Sequence, residues 1–269
     1  MKLEELHSIL FEMLKEIDRI FKKSGVEYSL SSGTMLGAVR HQGFIPWDDD
    51  ADIVMWQCDY NKARKALKEN LSENYELIEP DNFIPNFWDF TIRIIDKRYQ
   101  WHDVTEEDKF YKNLQNNICI DIFLLSGCPN SSFFRKCLFF KQKVIYALAM
   151  GHRYHIKNEK YTRIQKIQTM FSTWIGNKID MEVILKWHKK LATKKYNNKN
   201  QKFCAHLNGI PGEIGNTFFT EDTLSVANMK FESTELPVFT GYDRILTEEY
   251  GDYMTPVQDD NLYIKHLNS

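Results

Sequence analysis

The chain has 269 residues, of which 43% are hydrophobic, 14% aromatic and 27% charged, and its formal net charge is −2. That length allows one large domain or two small ones with a sizeable core. The near-neutral charge argues against a protein that binds nucleic acid mainly by electrostatic attraction. No uncharged apolar stretch approaches the roughly 20 residues of a membrane span, and the first residues, MKLEELHSILFEM, mix acids with apolar residues, unlike a secretory signal. We therefore expect a cytoplasmic protein.

The first half of the chain alternates between helical and strand patterns. Apolar residues recur at helical spacing over 3–22, and Ser24 with Gly25 ends this helix. Short strands are predicted at 26–30 and 50–56, with a short helix at 33–39 between them. An amphipathic helix is expected at 59–72, followed by strands at 75–80, 90–97 and 117–127.

The second half is mostly helical and basic from about 131 to 200. The favoured interpretation of residues 133–150 is a helix that packs on the core. The alternative is a basic amphipathic face on a membrane surface, with Lys136, Lys141 and Lys143 near lipid headgroups. The tail, 241–254, predicts a short helix that ends at Gly251.

Helices and strands are mixed without a strict βαβ rhythm, which predicts an α+β fold. We expect a single domain over 1–269, with its sheet core at about 24–127 and helical and C-terminal additions at about 128–269.

The cysteines do not indicate a disulfide framework or a zinc site. The five cysteines, an odd number, are Cys58, Cys119, Cys128, Cys137 and Cys204. The intervals of nine residues from Cys119 to Cys128 and from Cys128 to Cys137 match no common zinc pattern. We expect reduced thiols.

Four aspartates crowd into positions 48–52, directly before the apolar residues of a predicted strand. Side chains alternate along a strand, so Asp50 and Asp52 point the same way, about 7 Å apart. Asp121 is a second lone acid inside an apolar strand. If the strands are neighbours, the three carboxylates could hold a hard cation such as Mg²⁺, with Mn²⁺ as the alternative. A solvated turn is the plainer interpretation of the acidic run alone.

Ser31-Ser32-Gly33-Thr34 stands between a predicted strand and a predicted helix. Glycine allows the backbone to approach a ligand, and a helix N-terminus presents N–H groups suited to phosphate. Ser32 and Thr34 could add hydroxyl donors. Ordinary helix capping would give the same pattern.

The order of these features resembles the nucleotidyltransferase fold shared with polymerase β: a strand, a Gly-Thr turn, a helix, an Asp-x-Asp strand and a later lone Asp. The segment SGTMLGAVRHQGFIPWDDDADIVM at 32–55 closely resembles the LicD (fukutin-related) signature GTLLGAVRHxGFIPWDDDxD. IDIF at 120–123 and YDRILTEEYGDYM at 242–254 resemble two later blocks of that family, in the same order.

The resemblance implies an enzyme that transfers a phospho-alcohol, typically phosphocholine from CDP-choline, to a bacterial surface glycan such as teichoic acid, lipopolysaccharide or a capsule precursor. By the same mapping, Asp50 and Asp52 match the family's metal-binding pair and Asp121 its third acid, so these are the expected catalytic acids and Mg²⁺ ligands. Gly33 and Thr34 match its phosphate-binding turn, and Arg40 its arginine placed to meet donor phosphates, although a surface ion pair with the aspartates would also explain Arg40. From the residues themselves we expect Asp121, or else Asp48, to accept the proton, and we add Ser32, Trp47 and Asp48 to the substrate-binding candidates.

A choline group should lie against aromatic rings. The candidates, each of which core packing also explains, are Trp47, Trp88, Trp101, Tyr242 and Tyr250.

Three alternatives remain open from the sequence. The donor could be CDP-glycerol or CDP-ribitol. The same acids could transfer a nucleotide from a nucleoside triphosphate to a small acceptor, or the chain could be an inactive nucleotide-binding module. A lipid-linked glycan acceptor would bring the protein to the inner membrane face.

Overall fold

Residues 1–154, 162–191 and 196–256 are described by the computed structural model. The helices of these segments are α1 Leu3–Ser24, α2 Ser32–His41, α3 Tyr60–Asn70, α4 Glu106–Phe110, α5 Ser132–Ala149, α6 Arg163–Gly176, α7 Met181–Lys189 and α8 Tyr242–Tyr250. The strands are β1 Ser29–Leu30, β2 Asp52–Trp56, β3 Tyr75–Ile78, β4 Ile92–Gln100, β5 Asn117–Cys128, β6 Phe203–His206, β7 Phe218–Phe219, β8 Val226–Phe231 and β9 Thr234–Phe239.

A seven-stranded mixed sheet is the centre of the fold. Its path is β1-β2-β5-β4-β3, and β6 pairs with the later part of β5 and carries β7 beyond it. The β2–β5 pairing is parallel, whereas β5 pairs antiparallel with both β4 and β6. Strands β8 and β9 form a separate two-stranded sheet. This mixture of helices with a mixed sheet is the arrangement that the sequence predicts.

Helix α1 covers the sheet because its apolar residues recur on one side. Leu6, Leu10, Met13, Leu14 and Ile17 are all 0% exposed and belong to the main core. Burying a side chain of this kind contributes about 1.5–3 kcal/mol. The helix ends at a glycine in the left-handed conformation, with φ 61°, as the Ser-Gly pair predicts.

Helices α5 and α7 share a second apolar cluster. Ile145, Tyr146 and Ala149 of α5 pack there with Ile184 and Leu185 of α7. The predicted core-facing helix at 133–150 is therefore correct for the second half of α5. The first half of α5 differs, because several of its large apolar side chains are exposed. Among the described residues, no helix combines the length and apolarity needed to cross a bilayer.

Most predicted elements of the first half are present, with shifted ends. The strand expected at 50–56 begins at Asp52, and the helix expected at 33–39 extends over Ser32–His41. Strands β6 to β9 had no counterpart in the sequence prediction, which took 131–200 as mostly helical and predicted only the helix at 241–254 beyond it. All five cysteines are free thiols.

Candidate active site

Two acids that are far apart in sequence lie side by side at the start of the parallel pair. Asp52 opens β2 and stands opposite Asp121 of β5. The backbone N–H of Asp121 donates to the carbonyl oxygen of Ala51 at 3.1 Å, which continues the ladder one residue before β2. The expectation that these strands are neighbours is confirmed. Asp50, Asp52 and Asp121 all line one cavity of about 470 Å³.

The carboxylates at this edge of the sheet repel one another. Burial raises the pKa of Asp52 well above its ordinary value, and the charges of Asp50, Asp121, Asp48 and Glu213 raise it further. Such crowding is stable only when positive charge or a proton compensates it. Sequence reasoning did not include Glu213, which comes from the loop after β6.

The closest carboxylate group is formed by three consecutive residues. Among the residues described, Asp48, Asp49 and Asp50 form the one group of three acidic, histidine or cysteine side chains whose ligand atoms all lie within 4.8 Å. Asp52 and Asp121 stand outside that group. Asp50 belongs to the group and also lines the cavity, so it connects the acidic run to the paired strands.

An arginine holds Asp121 from the neighbouring strand. Arg93 lies opposite Asp121 on β4, and its Nε is 2.9 Å from Asp121 Oδ1. Its Nη1 and Nη2 donate to Asp89 Oδ1 and Oδ2 at 2.8 and 2.7 Å. Burial opposes the charge of Arg93, but Asp121 and Asp89 raise its pKa well above the ordinary value.

Sequence reasoning missed Arg93, although the signal was available. It is a lone charge between Ile92 and Ile94 in a predicted strand, the same pattern that singled out Asp121. A buried charge in such a position needs a partner.

The predicted phosphate-binding turn begins α2. Ser32 has a φ of 46°, in the left-handed region that favours glycine, and such strain concentrates at functional sites. A Cβ on Gly33 would lie 2.5 Å from Asp48 Oδ2, so glycine is required for this carboxylate to approach the helix. Thr34 Oγ1 accepts the backbone N–H of Asp52 at 2.9 Å and ties α2 to β2.

Two other predicted substrate-binding residues contact other parts of the fold. Arg40 donates from Nη1 to the carbonyl oxygen of Tyr253 at 2.7 Å, so it fastens α2 to the tail. Trp47 packs against the main core and makes an edge contact with His41, with ring centroids 5.9 Å apart. Neither of them is among the residues that line the 470 Å³ cavity.

The tail reaches the acids through the end of α8. Desolvation and the charges of Glu249, Asp52, Asp48 and Asp50 raise the pKa of Tyr250, which places its hydroxyl in the field of the acidic run. Burial raises the pKa of Glu249, and the neighbouring side chains of Ser32 and Tyr250 act against that rise. Sequence reasoning named Tyr250 only as one of several aromatic candidates and did not include Glu249.

Only some of the aromatic candidates for a choline contact line the cavity. Trp88 and Trp101 line the cavity that holds Asp50, Asp52 and Asp121. Tyr242 packs against the main core, as Trp47 does. Two further acids, Glu107 and Asp108, belong to the same cavity wall. The cavity thus joins carboxylates at the strand ends to indole rings on its side.

Comparison with known proteins finds similarity over most of the chain. The family description "LicD/FKTN/FKRP, nucleotidyltransferase domain" matches residues 25–147, which include the acidic run, β2 and β5. The chain is 26% identical over 268 residues to "Lipopolysaccharide cholinephosphotransferase LicD" of Haemophilus influenzae, covering 96% of this chain and 94% of that protein.

A shorter match links the chain to an uncharacterized protein of Rickettsia prowazekii, RP689, with 50% identity over 60 residues, or 22% of this chain and 23% of that protein. An uncharacterized protein of Rickettsia typhi, RT0683, is 50% identical over 68 residues, or 25% of this chain and 22% of that protein. These matches show that residues 25–147 match the LicD family description and that 96% of the chain is similar to a LicD protein at 26% identity.

Proposed function

We propose that this protein is a cholinephosphotransferase with a nucleotidyltransferase-type core, which transfers phosphocholine from CDP-choline to a surface glycan such as lipopolysaccharide. An acceptor hydroxyl oxygen forms a bond with the phosphorus that carries choline. The bond from that phosphorus to CMP breaks, CMP departs, and the hydroxyl proton passes to a carboxylate. In such an in-line displacement, catalysis depends mainly on positioning the two reactants and on compensating the phosphate charge.

The observation that carries the proposal is the composition of the 470 Å³ cavity. The carboxylates of Asp50, Asp52 and Asp121 line this cavity where β2 and β5 begin to pair, and the indole rings of Trp88 and Trp101 line the same space. Indole faces attract quaternary ammonium groups, and nearby acids strengthen that attraction. Glu107 and Asp108 supply such acids. One cavity therefore offers groups for both ends of phosphocholine.

The residues present fit a hard divalent cation such as Mg²⁺. Oxygen ligands are the type that this cation prefers, and the like charges that raise the pKa of Asp52 call for a positive partner. In the proposal, Asp50, Asp52 and Asp121 would hold it. When bound, the cation would neutralise charge on the diphosphate and on the departing CMP.

The side chains around these acids fix their positions. Arg93 fixes the Asp121 carboxylate through a 2.9 Å ion pair between its Nε and Oδ1. Thr34 fixes the backbone of Asp52 through a 2.9 Å hydrogen bond. In the proposal, the N-terminus of α2, at Ser32 and Gly33, receives the phosphate end of the donor, because the helix dipole favours anions at this end of a helix.

The test compares Asp52→Asn and Asp121→Asn with the wild type. We expect each variant to lower CMP release from CDP-choline by at least about 100-fold, the order lost when one group that stabilises transition-state charge is removed. The assay contains Mg²⁺ and a lipopolysaccharide acceptor, and thermal unfolding checks that each variant is folded. Asp81→Asn is the matched control, because Asp81 is half exposed and pairs with Lys189.

The products separate the alternatives. Mass analysis should show phosphocholine on the glycan; added glycerol phosphate or ribitol phosphate from the corresponding donors would replace choline in the proposal. An added nucleotide would indicate nucleotidyl transfer. CDP-choline binding without turnover by the wild type, or normal turnover in folded Asp52→Asn, would refute the catalytic proposal.

The acceptor and the cellular location follow as part of the same proposal. A glycan acceptor built on a lipid carrier would bring the enzyme to the cytoplasmic face of the membrane, where a CDP-activated donor is available to it. The measurement is the fraction of acceptor modified when the glycan is offered free or lipid-linked. A preference for the free glycan would remove the lipid-linked acceptor from the proposal.

A further inference from the structure

We propose that α5 and α6 form a docking surface for the anionic face of a lipid bilayer. The inference concerns residues far from the acids in sequence and stands whether or not the catalytic proposal does. It begins from the exposure of side chains that helices ordinarily bury. We call this surface the helical docking face and define it by the exposed residues Phe133, Phe134, Phe140, Val144, Ile167, Met170, Phe171 and Trp174.

Helix α6 turns an apolar stripe outward. Ile167, Met170, Phe171 and Trp174 follow the i, i+3, i+4, i+7 spacing of one helix face, which usually packs on a core. They are instead 62%, 67%, 62% and 58% exposed. Helix α6 is fixed by its other side, because a Cβ on Gly176 would lie 2.0 Å from the carbonyl oxygen of Leu148. The stripe is thus held outward by close packing behind it.

Helix α5 repeats the arrangement and adds positive charge. Phe133, Phe140 and Val144 lie on one side of the helix at spacings of seven and four, and are 69%, 68% and 40% exposed. Lys136 and Lys143 occupy the same side, at intervening positions, and are also exposed. Aromatic rings and lysines alternating on one exposed helix face are typical of helices that lie in a membrane interface.

The charge of the whole helical region favours a lipid surface over a second copy of the chain. Helices α5 and α6 together carry six Lys and Arg and no acidic residue, in a chain whose total charge is −2. Two copies meeting through this face would bring like charges together, whereas anionic headgroups complement them. The apolar side chains would then enter the boundary between headgroups and acyl chains.

The test is flotation of the full chain with vesicles of phosphatidylcholine alone or mixed with phosphatidylglycerol. We expect binding to the mixed vesicles that weakens as salt increases. Phe171→Ser combined with Trp174→Ser should lower the partition coefficient by at least about 10-fold, because each change removes a large apolar group from the interface. Lys136→Ala should lower it about fivefold. Tyr99→Ser, an exposed aromatic on β4, is the matched control and should change nothing.

A conservative variant separates insertion from general adhesion. Trp174→Phe should still bind the mixed vesicles. The fluorescence blue shift that accompanies binding should lose the contribution of Trp174. No association at low salt, or equal association of the double serine variant, would overturn the proposal. The proposal would also be overturned if the wild type bound no vesicles but dimerised as its concentration increased, and if the double serine variant no longer dimerised. Because the serine changes are at exposed positions, circular dichroism should show an unchanged fold.

Discussion

Replacing Arg93 by methionine should destabilise the protein strongly, because it removes the positive charge that joins Asp89 and Asp121. Arg93 and Asp89 have side chains only 11% and 6% exposed, and two hydrogen bonds of 2.7 and 2.8 Å join them. A third contact, 2.9 Å from Nε, reaches Asp121. Removing one partner of a buried ion pair typically costs about 3–5 kcal/mol. For a chain of this size, that loss lowers the melting temperature by roughly 10 °C.

The assay is urea unfolding followed by circular dichroism, with the m-value compared to check that both proteins unfold in the same way. Arg19→Met is the matched control, because Arg19 pairs with Glu16 on the surface with its side chain 54% exposed. That pair should contribute less than about 1 kcal/mol. A loss of less than about 1 kcal/mol in Arg93→Met, similar to the control, would refute the view that this arginine compensates buried charge.

Further predictions concern pH, backbone packing and donor choice. Burial lowers the pKa of His188 from 6.5 to about 4; the unfolded chain therefore takes up this proton first as pH falls, and the free energy of unfolding should decrease between those values. His188→Gln should remove at most about 3 kcal/mol of that decrease, and parallel pH profiles of the two proteins would contradict it. Gly37→Ala should cost about 1–3 kcal/mol, because its Cβ would lie 2.5 Å from the Gly43 carbonyl oxygen, whereas Gly212→Ala, with nothing within 4 Å, should change stability little. Trp101→Ala should raise the KM for a choline donor about 2- to 30-fold more than that for a glycerol donor, as loss of a cation–π contact implies, and equal changes would count against a choline subsite.

The acids of the site were predictable because each breaks an apolar strand pattern. Asp52 and Asp121 were therefore recognisable as a pair, and their alignment in the parallel ladder agrees with that expectation. The contributions of Arg93 and Glu213 were not recognised, because they depend on which strand and loop come to lie beside the acids. Periodicity within a segment carries no information about such tertiary neighbours.

The second half of the chain was harder for a related reason. Strands β6 and β7 are defined by pairing with β5 and with each other, which periodicity within a segment does not reveal. Helix α5 has apolar residues on more than one side, so its sequence permits both a core-facing and a surface-facing orientation. The structure uses both, with Ile145 and Tyr146 buried and Phe133 and Phe140 exposed.

The register of β5 has a consequence for folding as well as for the site. Ile118, Ile120 and Ile122 are 0% exposed on one side of this strand, while Cys119 and Asp121 line the cavity on the other. A shift of one residue against β2 would exchange the two sides and place the Asp121 carboxylate in the apolar core. Because burying an unpaired carboxylate is so costly, Asp121 makes the shifted pairing of β5 with β2 less stable than the native one. The same acid that the proposed chemistry needs thus helps the chain to select the correct pairing of its central strand.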